Sequence, residues 1–411
     1  MSNIYIVGAG MTPFGKYLDR SIKQMTEEAV GSALIDAGVA IVDVEAAYFA
    51  NAAQSVLEGQ ATIPGEIALR SMGFEGIPVT NVENACASAS TALDMAATWL
   101  KAGRGGVALA VGAEKMFHED RSKMFSVFDG GWDVHNAKAA TARLLELGAD
   151  MEDPDGNEDT GQRSIFMDVY AALAKFHMKT FGTTQEHIAA AAAKNHDHSQ
   201  HNPLSQYREP MTLDEVLTAR KISWPLTLPM CSPISDGAAA AVLCRQDELY
   251  RFDRGRAVKV EATVLRSGSE RKPEEVDKHI THLAANLAYE EAGLGPGDMD
   301  VAEVHDATAF AEIQQIENLG FCGFGEGGPM TLAGDTRLGG RIPVNPSGGL
   351  ESKGHPAGAT GLAQVYELVA QLRGEAGGRQ VEGARYGIAE NGGGFHGIEE
   401  AAACLTILGR G

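Results

Sequence analysis

Only five cysteines occur in 411 residues, their number is odd, and no two stand in C-x-x-C spacing. That argues against a disulfide scaffold and against a zinc ribbon. Positive charge is also scarce. Thirty-four Lys and Arg face 55 Asp and Glu, for a net charge of -21, and no basic stripe interrupts the chain. Such a chain is a poor nucleic-acid binder, and an anionic ligand would need a local basic patch. No apolar run approaches the ~18 residues of a membrane span. The opening Met1-Ser-Asn-Ile-Tyr-Ile-Val-Gly lacks a basic region followed by a long apolar stretch, and the closing Leu408-Gly-Arg-Gly carries no peroxisomal address. The expectation is a cytoplasmic protein without a signal peptide. A dinucleotide fingerprint is missing too. In Gly8-Ala-Gly-Met-Thr-Pro, Pro13 stands where G-x-G-x-x-G needs its last glycine.

What is present is a chain long enough for two or three domains of ~150 residues, with 44% hydrophobic residues. Its core needs no covalent staples. Strand signals at Ile4–Val7, Ala46–Phe49, Val107–Val111, Ala239–Leu243, Val258–Val264, Val301–Val304 and Ala402–Leu408 alternate with helix signals. The helices are expected at Met25–Ala37, Ser88–Ala102, Ile165–Phe181, Gln185–His196, Ile280–Ala292, Ala309–Leu319 and Thr360–Arg373. This alternation predicts an α/β architecture.

An internal repeat organises the chain. Ala33-Leu-Ile-Asp-Ala-Gly-Val and Asp43-Val-Glu-Ala-Ala-Tyr-Phe recur, without a gap, as Ala288-Tyr-Glu-Glu-Ala-Gly-Leu and Asp298-Met-Asp-Val-Ala-Glu-Val. Further on, Cys86-Ala-Ser-Ala-Ser-Thr-Ala-Leu aligns with His355-Pro-Ala-Gly-Ala-Thr-Gly-Leu. Two copies of one α/β unit thus each present a reactive residue at the same helix start. Pairing the copies back to back would bring Cys86 and His355 to one cleft. The N-terminal half is expected over residues 1–116 and 226–262 and the C-terminal half over 263–411. Residues 117–225 are read as an inserted cap, with an acidic loop-like stretch at Leu145–Gly161.

Cys86 lies where a strand hands over to a helix whose Leu93, Ala96, Ala97 and Leu100 fall at helical spacing. Free N–H groups and the positive helix end favour thiolate there, which makes a nucleophile. A buried structural cysteine is the alternative. Cys231, Cys244, Cys322 and Cys404 read as packing. The run His196-Asp-His-Ser-Gln-His201 has metal-like spacing.

Together the motifs resemble the thiolase superfamily, in its branch of sterol-carrier-protein-type thiolases and acetyl-CoA acetyltransferases. The resemblance covers nearly the whole chain. It rests on Ile6-Val-Gly-Ala-Gly-Met-Thr-Pro-Phe-Gly-Lys, Asn81–Leu93 around Cys86, Ala110-Val-Gly-Ala-Glu-Lys-Met, and Lys194-Asn-His with Asn202-Pro-Leu-Ser-Gln-Tyr. Pro225-Leu-Thr-Leu, Cys231-Ser-Pro-Ile-Ser-Asp-Gly-Ala-Ala-Ala, His305-Asp-Ala, Gly354-His-Pro and Glu390-Asn-Gly-Gly-Gly complete it. It implies two duplicated βαβαβαββ halves in five layers, α-β-α-β-α, with a cap inserted in the first half. It implies an acyl-CoA C-acyltransferase in which Cys86 carries the acyl group and His355 takes the thiol proton. His305 would bond the enolate or carbonyl oxygen of the second substrate, and Asp306 would orient a neighbouring loop. Gly392, Gly393 and Gly394 would offer N–H groups to the thioester oxygen.

The family's second cysteine is missing. Ala307 stands at one of its positions, and Glu390 or Asn391 at the other, the register being open by one. Glu390 could serve as acid/base, whereas Asn391 could only hydrogen-bond. Arg208, Arg220 and Lys221 are candidates for the CoA phosphates. No metal and no tightly bound cofactor are implied; acyl-CoA and CoA are substrates. The resemblance also implies a homodimer or tetramer, with a zinc-ribbon/OB-fold protein as a partner in some relatives. Acyl transfer to a non-CoA acceptor, retro-aldol cleavage of a CoA thioester, and a non-catalytic acyl-CoA-binding subunit are the alternatives.

Overall fold

The repeat in sequence is a repeat in structure. The computed structural model describes residues 2–154, 156 and 163–411. In the first copy a helix, Ile22–Ala37, ends on Gly38 at φ 70, and in the second a helix, Ile280–Ala292, ends on Gly293 at φ 67. Glycine closes a helix in this left-handed conformation without a Cβ penalty. Each helix is followed by a single tight turn, Ile41–Asp43 or Pro296–Asp298, and then a strand.

The strands among the described residues are β1 (Ile4–Met11), β2 (Ala46–Ala50), β3 (Val79–Val82), β4 (Val107–Glu114), β5 (Lys221–Ser223), β6 (Leu226–Thr227), β7 (Gly237–Arg245), β8 (Val258–Ser267), β9 (Val301–Glu303), β10 (Tyr386–His396) and β11 (Glu399–Arg410). β5 and β6 form a small hairpin. The other nine form one sheet in the order β3-β2-β4-β7-β1-β8-β11-β10-β9. The two halves are therefore joined edge to edge, where Ile4–Ile6 of β1 pair with Val258–Val260 of β8. β8 runs across the expected boundary at 262/263.

Alternating side chains sort the sheet into faces. In β4, Leu109 and Val111 meet Met25, Ala29 and Ala33 of the outer helix. Ala108 and Ala110 turn inward, toward Leu93 and Ala97 of Ser88–Lys101 and Leu362 and Val365 of Thr360–Arg373. Ile388 of β10 meets Ile280 and Ala284 on the far outer face, whereas Ala389 turns inward. The result is five layers, with the two inner helices between the half-sheets. Those helices cross so closely that a Cβ on Gly361 would lie 2.6 Å from the Ser90 nitrogen.

Two elements differ from the sequence expectation. The Glu390–Gly394 run, outside the expected strands, lies within β10. The second half's equivalent of β3 shrinks to one bridge, Ala302 with Val344. Pro343 and Pro346 flank that bridge and have no N–H to extend it. The 117–225 segment carries helices Ile165–Phe181 and Gln185–Ser199, which pack on Phe310, Ile313 and Phe395 of the second half. Of the expected acidic stretch, Asp155, Glu158 and Asp159 fall outside the described residues. No helix among the described residues is long and apolar enough to cross a membrane.

Candidate active site

Cys86 sits two residues before the helix Ser88–Lys101, on a turn with a strained neighbour. Ala85 has φ 49, a conformation that costs an L-residue about 1–2 kcal/mol. Ser88 holds the turn: its hydroxyl donates to the Ala85 carbonyl at 2.6 Å and accepts the Asn84 N–H at 2.8 Å. β10 passes directly beneath, and a Cβ on Gly393 would lie 2.2 Å from the Asn84 carbonyl oxygen. Glycine is required there for the strand to approach the nucleophile turn.

The expectation that the helix end favours a thiolate is corrected. Burial, then the carboxylates of Glu114 and Glu83, push the Cys86 thiol up to about 12. One face of Cys86 opens on the cleft, but protein encloses the rest, and desolvation of the thiolate outweighs the helix end.

His355 reaches the same cleft from the other half. Its sulfur and imidazole neighbours are close: one ligand atom each from Cys86, His305 and His355 lie within 4.8 Å of one another. The His355 ring is buried and held well below the usual histidine range by burial and by His305 and Lys353. Its Nδ1 is 2.8 Å from Thr360 Oγ1, and Thr360 Oγ1 lies 3.1 Å from the Pro356 carbonyl. If that hydroxyl donates to the carbonyl, it accepts from Nδ1–H, which leaves the Nε2 lone pair for Cys86. Thr91 makes the equivalent bond to the Ala87 carbonyl, 2.8 Å, in the first copy.

His305 follows β9. Its ring is fully enclosed, and burial lowers it to about 4. Neither ring nitrogen has a hydrogen-bond partner. A buried imidazole without a partner is costly unless something is bound there. Its ring centroid is 5.1 Å from that of His355. Asp306 takes the Leu350 N–H at 2.8 Å and the Asn195 amide at 3.0 Å, and so ties down the loop leading to His355.

The two candidates for the missing cysteine's position go elsewhere. Asn391 turns inward, where its Oδ1 accepts from Ser90 at 2.8 Å. Glu390 is not among the residues lining the cleft; its Oε2 accepts the His305 N–H at 2.9 Å. Burial, then Glu400, raise it to about 8. Gly393 and Gly394 line the cleft, and Gly392 lies beneath His305.

The cleft is a cavity of about 1260 Å³. Its walls are largely apolar: Met116, Met124, Phe125, Phe128, Phe166, Met167, Tyr170, Ile222 and Phe395. Arg208 and Arg220 line it, joined by Lys16, Arg121 and Arg163. Lys221 does not. In β5 its neighbour Ile222 faces the cavity, so Lys221 faces away and pairs with Asp153 at 2.9 Å.

The sequence of this chain matches the thiolase N-terminal domain profile over residues 4–247 and the thiolase C-terminal domain-like profile over 266–410. The chain belongs to the thiolase family. An acetyl-CoA acetyltransferase of Methanothermobacter thermautotrophicus is 38% identical over 97% of this chain and 98% of its own. Sterol carrier protein 2 of Oryctolagus cuniculus is 36% identical over 95% of this chain and 70% of its own. Among solved structures, an Ltp2-ChsH2(DUF35) aldolase superposes with a TM-score of 0.78 over 99% of this chain and 98% of that one, at 24% identity, which shows the shared fold. This thiolase is an acyltransferase by its relatives.

Reasoning from sequence passed over three groups that line this thiolase's cleft. Cys231, read as packing, lines it, with Sγ 3.5 Å from the Thr227 carbonyl. Glu351 and Glu400 line it as well. The metal-like histidine run is otherwise engaged: His198 Nδ1 lies 3.0 Å from the Asn345 carbonyl and its Nε2 accepts the Leu338 N–H.

Proposed function

We propose that this chain is an acyl-CoA C-acyltransferase that works through an acyl-enzyme on Cys86. The observation that carries this reading is the convergence of Cys86, His305 and His355, from both halves, on one apolar cavity. The chemistry runs as follows. The Cys86 thiol gives its proton to His355 Nε2 as sulfur attacks the thioester carbonyl, and the CoA thiolate leaves with that proton. A thiol near 12 beside a neutral imidazole means that the proton moves during attack rather than before it. His305, neutral and unpartnered, donates to the carbonyl or enolate oxygen of the acceptor. The backbone at Gly393 and Gly394 borders the acylated sulfur.

Arg208, Arg220, Arg121 and Lys16 supply the local basic patch that CoA phosphates need against the acidic background. Lys221 is not part of that set. The cavity is larger than an acetyl group requires and favours a sizeable apolar acyl chain. We expect a homodimer or a tetramer, with β3 at the sheet edge offering unpaired backbone groups.

One observation favours a second reading. Ala307 stands at one position of the family's second cysteine and Glu390 or Asn391 at the other, which suits retro-aldol cleavage of a CoA thioester or transfer to a non-CoA acceptor. The aldolase among its structural neighbours is paired with a DUF35 protein, and a partner of that class would accompany this reading.

The two are separated by assaying C–C bond formation and thiolysis with the wild type, Cys86→Ala and His355→Ala. Acyltransfer by the wild type, lost in both variants, supports the first. Cleavage of a 3-hydroxyacyl-CoA that survives in Cys86→Ala would overturn it.

A further inference from the structure

Glu399 and Glu400 are neighbours at the start of β11, yet only Glu399 is fully engaged. Glu399 Oε1 accepts the Ser269 N–H at 2.8 Å, and Oε2 takes Arg271 Nε at 2.5 Å and the Ile280 N–H at 3.1 Å. Glu400 turns to the cleft and lines it. It is 3% exposed, and its Oε2 has no hydrogen-bond partner. Gln315 reaches Oε1 only at 3.4 Å, and His279 Nε2 stands 3.4 Å from Oε2. A buried carboxylate this loosely held is available for chemistry.

Its position beside His305 is set by an absent side chain. A Cβ on Gly392 would fall 2.8 Å from Glu400 Cγ and 3.2 Å from His305 Nδ1. The Glu400 side chain and the imidazole therefore both border the bare backbone of Gly392. Tyr170, packed on Phe395 at 5.4 Å, has its phenol pushed up by burial and then by Glu400 and Cys86.

We propose that Glu400 is the acid/base of the second half-reaction, in the place of the absent second cysteine. This rests on the acyl-enzyme reading above. An acceptor acyl-CoA whose carbonyl oxygen is held by His305 presents its Cα–H to Glu400. The C–H bond breaks, the proton goes to the carboxylate, and the electron pair attacks the acyl carbon on Cys86. The carbon–sulfur bond then breaks, and the Cys86 thiolate takes up the proton that Glu400 removed. In thiolysis the same proton returns to carbon. Burial, chiefly, raises Glu400 to about 7, where a general base is both ionised and basic enough. Glu390, Glu399, Arg271, His279, His305 and Tyr170 are the titratable and charged groups around it.

Other groups fit less well. Glu390 is occupied by the His305 N–H. Cys231 and Glu351 lie together, the Cys231 thiol pushed up by burial and then by Glu351, and Glu351 shares a buried cluster with Asp306, Glu312 and Lys194.

The test measures two steps on one protein. Exchange of the acetyl-CoA methyl hydrogens for deuterium in D₂O reads Cα deprotonation and needs no acyl-enzyme. Intact mass of the protein after brief mixing with acetyl-CoA reads acylation. In Glu400→Gln, exchange should fall on the order of 100-fold or more, while acylation stays within about threefold; Glu400→Asp should recover part of the exchange. Wild-type exchange should rise with pH through about 7, and that rise should vanish in Glu400→Gln. Exchange within about threefold of wild type in Glu400→Gln, or acylation lost to the same degree as exchange, overturns the proposal. A wild type that exchanges hydrogen but never acylates Cys86 overturns the acyl-enzyme reading and leaves Glu400 as the base.

Discussion

His355 Nδ1 and Thr360 Oγ1 stand 2.8 Å apart, and the threonine hydroxyl is itself 3.1 Å from the Pro356 carbonyl. One hydroxyl on the first turn of an inner helix thus selects the histidine tautomer that can accept the Cys86 proton. Thr360→Val keeps the shape and removes the selection. The rate of Cys86 acylation should fall on the order of 100-fold, with a stability loss of only about 1 kcal/mol. Rapid-mixing intact mass and urea unfolding measure the two, and an unchanged acylation rate would contradict the assignment.

Cys86 is held as a thiol, so its alkylation by iodoacetamide should climb about tenfold per pH unit between pH 7 and 9 without levelling off. The direction follows from a thiol raised to about 12: the thiolate fraction is small throughout and grows with pH. Peptide mass spectrometry separates Cys86 from Cys231, which opens on the same cavity. A plateau below pH 8 would indicate a preformed thiolate–imidazolium pair.

The glycines under the site and on the surface should behave oppositely. Gly393→Ala drives a Cβ to 2.2 Å from the Asn84 carbonyl and should cost about 1–3 kcal/mol, with loss of acylation. Gly31 lies in the Ile22–Ala37 helix with nothing within 4 Å of a Cβ. Gly31→Ala should stabilise by about 0.5–1 kcal/mol. Urea unfolding of both variants checks the pair.

Lys194 is buried under the His355 loop, with Nζ 2.7 Å from the Val344 carbonyl and 3.1 Å from Glu312. Lys194→Met strands that carboxylate and should destabilise by about 3–5 kcal/mol. Asp306 and Glu351 are already pushed up by burial and by neighbouring carboxylates. Raised carboxyls bind more protons folded than unfolded, so the deficit should shrink as pH falls from 8 toward 5. Urea midpoints across that range decide it; a deficit that grows on acidification would contradict the cluster's role.

The sequence carried the fold well because the repeat is local and periodic. Gly38 and Gly293 end equivalent helices, and Cys86 and His355 open equivalent ones. Three features of the site were not legible. The thiol's protonation depends on burial and then on Glu114, which neighbours Cys86 only once β4 is in place beside the turn. Lys221 and Ile222 exchange roles with a single step of strand alternation. Glu399 and Glu400 are the same residue type side by side. Ala403, Leu405 and Ile407 share the Glu399 face of β11 and Leu408 the Glu400 face, and which of these faces meets the cleft is set only once β11 is paired in the sheet.

The most direct test of the acyl-enzyme is the intact mass of the protein quenched in acid within seconds of mixing with acetyl-CoA or propionyl-CoA. The account predicts one acyl group on the wild type, mapped to the Cys86 peptide, and none on Cys86→Ala. A wild type that gains no acyl group from any acyl-CoA while turning over a CoA thioester, or an adduct that persists in Cys86→Ala, would contradict it.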